Sequence, residues 1–162
     1  MIFNHIKCPL HRYTFQVEKI RKWVEQYCVG KVLNLFAGMT YLAVDETRND
    51  IDPAMQAEYH MDAVDFLRMV KAQGGRYHTV ILDPPYAYRK SMELYNGHKN
   101  SRFKIVKDII PDILHKNGKV ITLGYHSVSM GKQRGFEIES IALFSHGGAI
   151  HDTIGTVEIK IK

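Results

Sequence analysis

The sequence predicts an α/β domain with a mostly parallel sheet and an antiparallel hairpin at its C-terminal end. Short apolar runs alternate with amphipathic helical patterns over most of the chain, which is typical of parallel strands joined by helical crossovers. The last two apolar runs follow each other without a helix, which favours an antiparallel pair. Several apolar runs also end on glycine or aspartate, as expected where strands finish at a ligand cleft.

The N-terminal part of the pattern begins with a helix and a buried strand. Residues 14–28 carry apolar side chains at helical spacing, with Thr14 as an N-cap candidate. Residues 31–38, KVLNLFAG, form a short apolar run that ends in glycine and predict a buried strand. Residues 46–52, ETRNDID, have poor strand propensity and are assigned as a strand because of the residues that follow.

The rest of the chain continues the alternation. Helices are predicted over 62–75 and 102–118, with Pro111 producing a kink or break near Ile110 in the second. Strands are predicted over 77–83 and 119–125, and the terminal hairpin pairs residues 136–144 with residues 153–161. The polar segment 87–101 is expected to be a loop.

Composition limits the class of protein. The 162 residues fit one domain, 1–162, and they carry a formal net charge of +5. A mildly basic chain is compatible with a partner that bears phosphates. Cys8 and Cys28 lack metal-binding spacing, so we expect free thiols, a reducing cytoplasmic location and no metal site. The charged N-terminal region predicts neither a signal peptide nor a membrane anchor.

Two strand ends and one helix start carry residues suited to binding a small molecule. Phe36, Ala37 and Gly38 leave a turn open to close approach by a ligand. Either Asp50 or Asp52 can accept hydrogen bonds from ribose hydroxyls, and the sequence does not decide between them. Asp62, beside Ala63 at a helix start, can accept from an adenine amino group.

The sequence DPPY, residues 83–86, is the most specific signal in the chain. Asp83 supplies an acceptor, and Pro84 and Pro85 leave carbonyl oxygens free while fixing the backbone. Tyr86 offers a flat ring. Together these residues predict a pocket for a planar group that bears an NH2.

LFAGMT followed by DPPY resembles the S-adenosylmethionine-dependent amino-group methyltransferases, chiefly the adenine-N6 and cytosine-N4 enzymes of nucleic acid. The resemblance implies a Rossmann-like methyltransferase sheet, S-adenosylmethionine as cofactor, and methyl transfer to an exocyclic amine of a nucleobase, with adenine N6 in DNA preferred. It also implies that Asp83, Pro84, Pro85 and Tyr86 are catalytic. The implied cofactor-binding residues are Thr14, Phe36, Ala37, Gly38, Asp50, Ile51, Asp52, Asp62 and Ala63.

The resemblance leaves alternatives open. RNA methylation at guanine N2 or adenine N6 is one, and a non-catalytic methyltransferase-like binding subunit is another. Glutamine methyltransferases are disfavoured because they carry Asn at the position of Asp83. With no additional recognition region, nucleic-acid contacts are expected at Arg89, Lys90, Lys132 and Arg134.

The connection after Gly38 departs from the family pattern. Only eleven residues separate Gly38 from Asp50, and a parallel crossover normally needs about a dozen or more. We therefore expect the first crossover helix to be shortened or missing. Either the N-terminal helix 14–28 covers the bare sheet face in a monomer, or a second copy covers it in a homodimer.

Overall fold

The computed structural model describes residues 1–149 and 151–162. Its centre is a seven-stranded sheet in the order β1-β8-β9-β7-β4-β2-β3. The strands are β1 (Ile2–Lys7), β2 (Val32–Asn34), β3 (Glu46–Arg48), β4 (Tyr77–Leu82), β7 (Leu114–Gly124), β8 (Phe136–Ser145) and β9 (Thr153–Lys160). The helices are α1 (Glu18–Tyr27), α2 (Ala63–Ala72), α3 (Tyr86–Lys90) and α4 (Arg102–Ile113). A separate hairpin pairs β5 (Met92–Tyr95) with β6 (His98–Ser101).

The sheet confirms the predicted fold class. Strands β3, β2, β4 and β7 are parallel to one another, whereas β9 runs antiparallel to both β7 and β8. The C-terminal hairpin is therefore inserted into the sheet, with β9 between β7 and β8. The N-terminal strand β1, which the sequence analysis did not predict, pairs in parallel with β8 at the sheet edge.

Helices cover both faces of the sheet. Helices α2 and α4 bury Phe66, Leu67, Val106 and Ile110 against one face. Helix α1 buries Ile20, Trp23 and Val24 against the other. The N-terminal helix thus covers the face that the sequence analysis left without a crossover helix, and the reason given for a covering second copy no longer holds.

Residues 35–45, between β2 and β3, contain no helix, as the short spacing predicted. In place of a helix, the side chain of Arg48 organises this connection, and the residue is 1% exposed. Its guanidinium donates to the carbonyl oxygens of Thr40 at 2.8 Å and Gly38 at 2.8 Å, and it pairs with Glu46 at 2.7 Å. A buried charged side chain therefore fixes a connection that a helix would otherwise span.

Several predicted boundaries were wrong. The segment 14–28 is a 3₁₀ turn, Thr14–Gln16, followed by α1 from Glu18, so Thr14 is not the helix cap. Strand 31–38 shortens to β2, and strand 46–52 shortens to β3 with one further bridge from Asn49 to Tyr59.

The second half of the chain needs two corrections. The helix expected over 102–118 runs without a break at Ile110 and ends at Ile113, with Pro111 inside its last turn. The segment 87–101 is not a loop, because it completes α3 and forms the β5–β6 hairpin. That hairpin turns at Asn96 and Gly97, whose φ values of 51° and 79° match the left-handed conformation of a tight two-residue turn.

No helix in residues 1–149 or 151–162 is long and apolar enough to cross a bilayer.

Candidate functional site

Two cavities open side by side at the carboxyl ends of β2 and β4. The first has a volume of about 340 Å³ and the second about 180 Å³. Thr14, Asp83 and Pro84 line both, so these three residues form the wall between the cavities. The position agrees with the rule that open parallel sheets bind ligands beyond their strand ends.

The first cavity brings together most of the residues expected to bind a cofactor. The predicted residues that line it are Thr14, Phe36, Gly38, Asp50, Ile51, Asp52, Ala63, Asp83, Pro84 and Pro85. Ala37 is buried and donates its N–H to the carbonyl of Asn49 at 2.9 Å, so it supports the wall from behind. The structure adds Arg12, Tyr13, Leu35, Asn49, Met55, Met61 and Tyr88 to the lining.

Gly38 and Asp50 form the acidic end of the first cavity. Gly38 has a φ of +65°, and a Cβ built there would meet no atom within 4 Å. Its N–H donates to Oδ2 of Asp50 at 2.9 Å, while Oδ1 of Asp50 accepts from the N–H of Asp52 at 3.0 Å. The Asp50 carboxylate at this end is thus oriented by two backbone donors.

Asn49 links the strand ends around this turn and was not identified from the sequence. The residue is 1% exposed, and its side-chain amide donates to the carbonyls of Leu35 at 3.2 Å and Met61 at 3.1 Å. Its Oδ1 accepts from the N–H of Met61 at 3.1 Å. The sequence signal that could have identified this residue was an asparagine directly before Asp50 in the segment 46–52. An amide buried at such a strand end must find hydrogen-bond partners inside the fold.

Asp62 has internal partners. Its Oδ1 accepts from the N–H of Val64 at 2.9 Å, which caps α2, and it pairs with Arg102. The carboxylate therefore positions the start of α2 and brings Ala63 to the cavity wall. The hydrogen bond expected from an adenine amine to Asp62 would have to share this carboxylate with Val64 and Arg102.

The DPPY segment follows β4 directly and forms the wall between the cavities. Burial raises the pKa of Asp83 from 3.8 to about 6, although the neighbouring Thr14 hydroxyl and the positive charge of Arg89 act in the opposite direction. Pro84 is buried and Pro85 is exposed. Asp83 is therefore a carboxylate that is costly to ionise, held where both cavities meet.

The second cavity has aromatic rings and one cation. Tyr86 and Tyr125 line it and are 58% and 50% exposed, so a large part of each side chain is accessible. Arg89 reaches into this cavity from α3, and one of its nitrogens donates to the carbonyl of Leu123 at 2.6 Å. Burial lowers the pKa of Arg89, and Asp83 partly offsets that effect.

Tyr88, two residues beyond the DPPY motif, is a further site residue that the sequence analysis missed. Its ring packs edge-on against Phe36, with ring centroids 5.1 Å apart, and it lines the first cavity. Burial raises its pKa to about 12. The short helix α3 thus directs Tyr86 to one cavity and Tyr88 to the other.

The basic residues expected to contact nucleic acid lie in different settings. Lys90 is exposed, with its Nζ 4.6 Å from the centroid of the Tyr86 ring. Lys132 is exposed on a 3₁₀ turn. Arg134, in contrast, is half-buried and donates twice to Oδ1 of Asp108, at 2.9 and 2.7 Å, so its guanidinium holds the fold together.

His146 and His151 also lie near the second cavity. His146 lines it, and its Nε2 is 2.8 Å from the Thr153 hydroxyl. The ring of His151 lies 5.2 Å from that of Tyr125. The Nδ1 atom of His146 lies 3.1 Å from the carbonyl oxygen of Pro9, so this ring connects the C-terminal hairpin to the segment after β1.

Comparison with solved structures identifies the architecture. An S-adenosylmethionine-dependent methyltransferase from Agrobacterium tumefaciens superposes with a TM-score of 0.57 at 17% identity, over 90% of this chain and 60% of that protein. A protein assigned as a methyltransferase and solved in complex with SAH, SMU.776, gives 0.56 at 15% identity, over 86% of this chain and 48% of that one. The chain has the methyltransferase fold.

A third protein with the methyltransferase fold matches over more of its own length. YhhF from Escherichia coli gives a TM-score of 0.57 at 15% identity and is covered over 83% of its chain, with 89% of this chain aligned. The chain thus spans about half to three-fifths of the first two proteins and most of the third. No protein-family model matches the sequence, and a search of curated proteins found no match.

Proposed function

We propose that the protein transfers a methyl group from S-adenosylmethionine to an exocyclic amino group of a nucleobase in nucleic acid, with adenine N6 in DNA as the first substrate to test. The observation that carries the proposal is the wall formed by Asp83 and Pro84, which belongs to both cavities. Transfer between two bound molecules requires adjoining sites, because both reacting atoms must be held in contact. Residues that line both cavities place the two ligands next to each other.

The residues of the first cavity fit S-adenosylmethionine. At one end Asp50 and the open Gly38 turn suit the ribose hydroxyls, and the exposed Ile51 side chain offers an apolar surface for an adenine ring. At the other end Arg12 and Thr14 suit a carboxylate. When bound, the cofactor supplies an electrophilic methyl group; the roles described below belong to the protein's own side chains.

The second cavity fits a planar base. The exposed faces of Tyr86 and Tyr125 provide stacking surfaces, and stacking of a base on an aromatic side chain is worth about 1–3 kcal/mol. A base that enters from a duplex must first leave the helical stack. Stacking in the cavity then offsets part of the cost of extrusion.

Asp83 and the Pro84 carbonyl provide the chemistry that an exocyclic amine needs. The nitrogen of such an amine is a weak nucleophile because its lone pair is shared with the ring. When two acceptors receive hydrogen bonds from its two N–H groups, the nitrogen moves towards a tetrahedral arrangement. Its lone pair is then less shared with the ring and can attack the methyl group. Proline at 84 fixes the acceptor direction before substrate arrives, so this stabilisation needs little reorganisation.

Ionisation of Asp83 links this mechanism to pH. The carboxyl group is a full acceptor only when it is deprotonated, and its pKa is about 6. We therefore expect methyl transfer to fall as the pH decreases below about 6, and to reach a plateau above it. A bound sulfonium cofactor, being positively charged, would move this acid limb to lower pH.

The decisive experiment is transfer of a tritiated methyl group to DNA, RNA and protein in parallel. The protein should label nucleic acid, and Asp83→Ala should lose labelling while retaining cofactor binding by calorimetry. Asp65→Ala is the matched control, because Asp65 is an exposed acid on α2 whose nearest cation lies 4.0 Å away. Cofactor binding without transfer to any of the three would instead identify a binding subunit, and labelling of RNA alone would replace DNA as the substrate.

A further inference from the structure

A third cavity lies next to the second and has no role in the transfer chemistry described above. Its volume is about 190 Å³. It shares Arg89, Gly124 and Tyr125 with the second cavity, so a ligand could extend from one into the other. Its remaining lining residues are Phe103, Lys107, Thr122, His126, Val128 and Ser129.

Two cations stand at this cavity beside a single aromatic ring. The Arg89 guanidinium lies 4.5 Å from the centroid of Phe103, and the Lys107 ammonium lies 4.9 Å from the same point. Within residues 1–149 and 151–162 neither side chain forms an ion pair with a carboxylate. Burial lowers the pKa of Lys107, and the nearby positive charges of Arg134 and Arg89 lower it further. An anion bound here would raise this pKa and so favour the charged ammonium.

Two buried hydroxyl groups complete the lining. Thr122 and Ser129 are 5% and 9% exposed, and in the described part of the chain their hydroxyl oxygens have no hydrogen-bond partner. A buried hydroxyl without a partner costs about 1–3 kcal/mol, so such groups normally bind something. Both residues are rigidly placed, since Thr122 belongs to β7 and the N–H of Ser129 donates to the buried Glu158 carboxylate at 3.1 Å.

The two cations and the two unpartnered hydroxyls can all donate hydrogen bonds, and Arg89 and Lys107 carry positive charge. A ligand that satisfies only donors must be rich in acceptor oxygens and negatively charged, which describes a phosphate group. A carboxylate offers fewer oxygens, and a neutral ligand would add no negative charge to that of the nearby carboxylates of Asp83, Asp108 and Glu158.

We propose that this third cavity binds a phosphate group of the nucleic-acid strand whose base occupies the second cavity. The proposal rests on the proposed function for the position of the base, and on the shared residues Arg89, Gly124 and Tyr125 for the continuity between the two ligand groups. Phosphate binding at this point fixes the backbone of the target nucleotide and orients its base towards Asp83. It carries no sequence preference of its own.

The site itself is tested without a methyl donor or a methylation assay. Inorganic phosphate is titrated into the full chain by calorimetry at constant ionic strength, with chloride as the reference salt. We expect saturable binding of one phosphate in the wild type. Lys107→Met and Thr122→Val should each weaken it, the former by at least about tenfold, because a hydrogen bond to a charged group is worth a factor of ten or more.

The matched control is Lys116→Met, which removes an exposed lysine far along β7 and should leave phosphate affinity unchanged. Thr122→Val should also keep or raise the thermal stability of the ligand-free protein, since the hydroxyl it removes has no protein partner. Absence of saturable phosphate binding overturns the proposal. So does equal weakening by Lys107→Met and Lys116→Met.

The source of the phosphate is decided by competition. Single-stranded DNA and RNA oligonucleotides should displace the bound phosphate, whereas the corresponding nucleosides should not. Displacement by a mononucleotide but by neither strand, or by no nucleotide at all, would overturn the assignment to a strand. Phosphate binding and strand competition that persist in a protein without methyl transfer would refute the proposed function while leaving this site in place.

Discussion

Replacing Asp83 with asparagine should stabilise the ligand-free protein while abolishing the proposed methyl transfer. The pKa of Asp83 is raised from 3.8 to about 6 because desolvation in the wall between the cavities disfavours the charged carboxylate. An acid that is harder to ionise in the folded state than in the unfolded state makes folding less favourable once both states are ionised. Asparagine has nearly the same shape and carries no charge, so it removes that penalty.

The size and pH window follow from the same values. Below about pH 4 Asp83 is protonated in both states and contributes no penalty. Between about pH 4 and 6 the unfolded chain ionises first, and stability falls; above about pH 6 the loss reaches its full value, about 3 kcal/mol at 1.4 kcal/mol per pH unit. In a protein of this length such a gain raises the melting temperature by about 6–12 °C.

Urea unfolding of the wild type and Asp83→Asn, followed by circular dichroism at pH 4, 6 and 8, measures the difference directly. Other titrating groups are common to both proteins and cancel in the comparison. The stabilisation should be near zero at pH 4 and largest at pH 8. A variant that is no more stable at pH 8, or one whose gain is the same at all three pH values, would refute the assignment of a buried, costly carboxylate at this position.

Three further predictions concern the cofactor turn, the buried arginine and the basic surface. Gly38→Leu should abolish binding of S-adenosylmethionine in calorimetry by filling the cavity. Gly74→Leu is the matched control, because Gly74 also has a positive φ and open space where a Cβ would lie. Unchanged binding in a folded Gly38→Leu protein would remove the cofactor assignment. Arg48→Met should lower the free energy of unfolding in urea by about 3–5 kcal/mol, because it leaves the Glu46 carboxylate buried without its partner. The same substitution at the exposed Arg68 should lower it by less than about 1 kcal/mol. Equal losses would contradict the structural role of Arg48. Lys132→Gln should reduce the salt dependence of nucleic-acid binding by about one unit of slope with no loss of stability. Arg134→Gln should instead lower stability, because it breaks the ion pair with Asp108. The reverse pattern would show that Arg134 is the phosphate contact.

The predictions that succeeded depended on local patterns with a physical requirement. The placement of DPPY at a strand end needed only an apolar run and the rigid residues after it. The missing crossover helix needed only a count of residues between Gly38 and Asp50, since chain length limits what can be spanned. Both conclusions concern one segment at a time, and the structure agrees with each.

The features that the sequence did not predict depend on contacts between distant segments. Arg48 reads as a surface charge within a weak strand, and only the folded turn of residues 37–40 supplies the carbonyls that bury it. The hydroxyls of Thr122 and Ser129 lie in unremarkable apolar and loop contexts, and their shared cavity exists only after α4 packs on β7. The β5–β6 hairpin is the exception, because its Asn96-Gly97 turn was a readable local signal that the polar composition of the segment obscured.

The pairing of β1 with β8 has a consequence for how the sheet forms. Ile2 pairs with Ser140, which lies 138 residues further along the chain, so β1 has no place in the sheet until β8 has formed. Closing so long a loop is entropically costly, which favours late docking of this strand onto an already formed sheet. Until then the backbone hydrogen-bonding groups of β1 and the outer edge of β8 both stay open, so strand exchange between neighbouring chains is easiest before this last docking step.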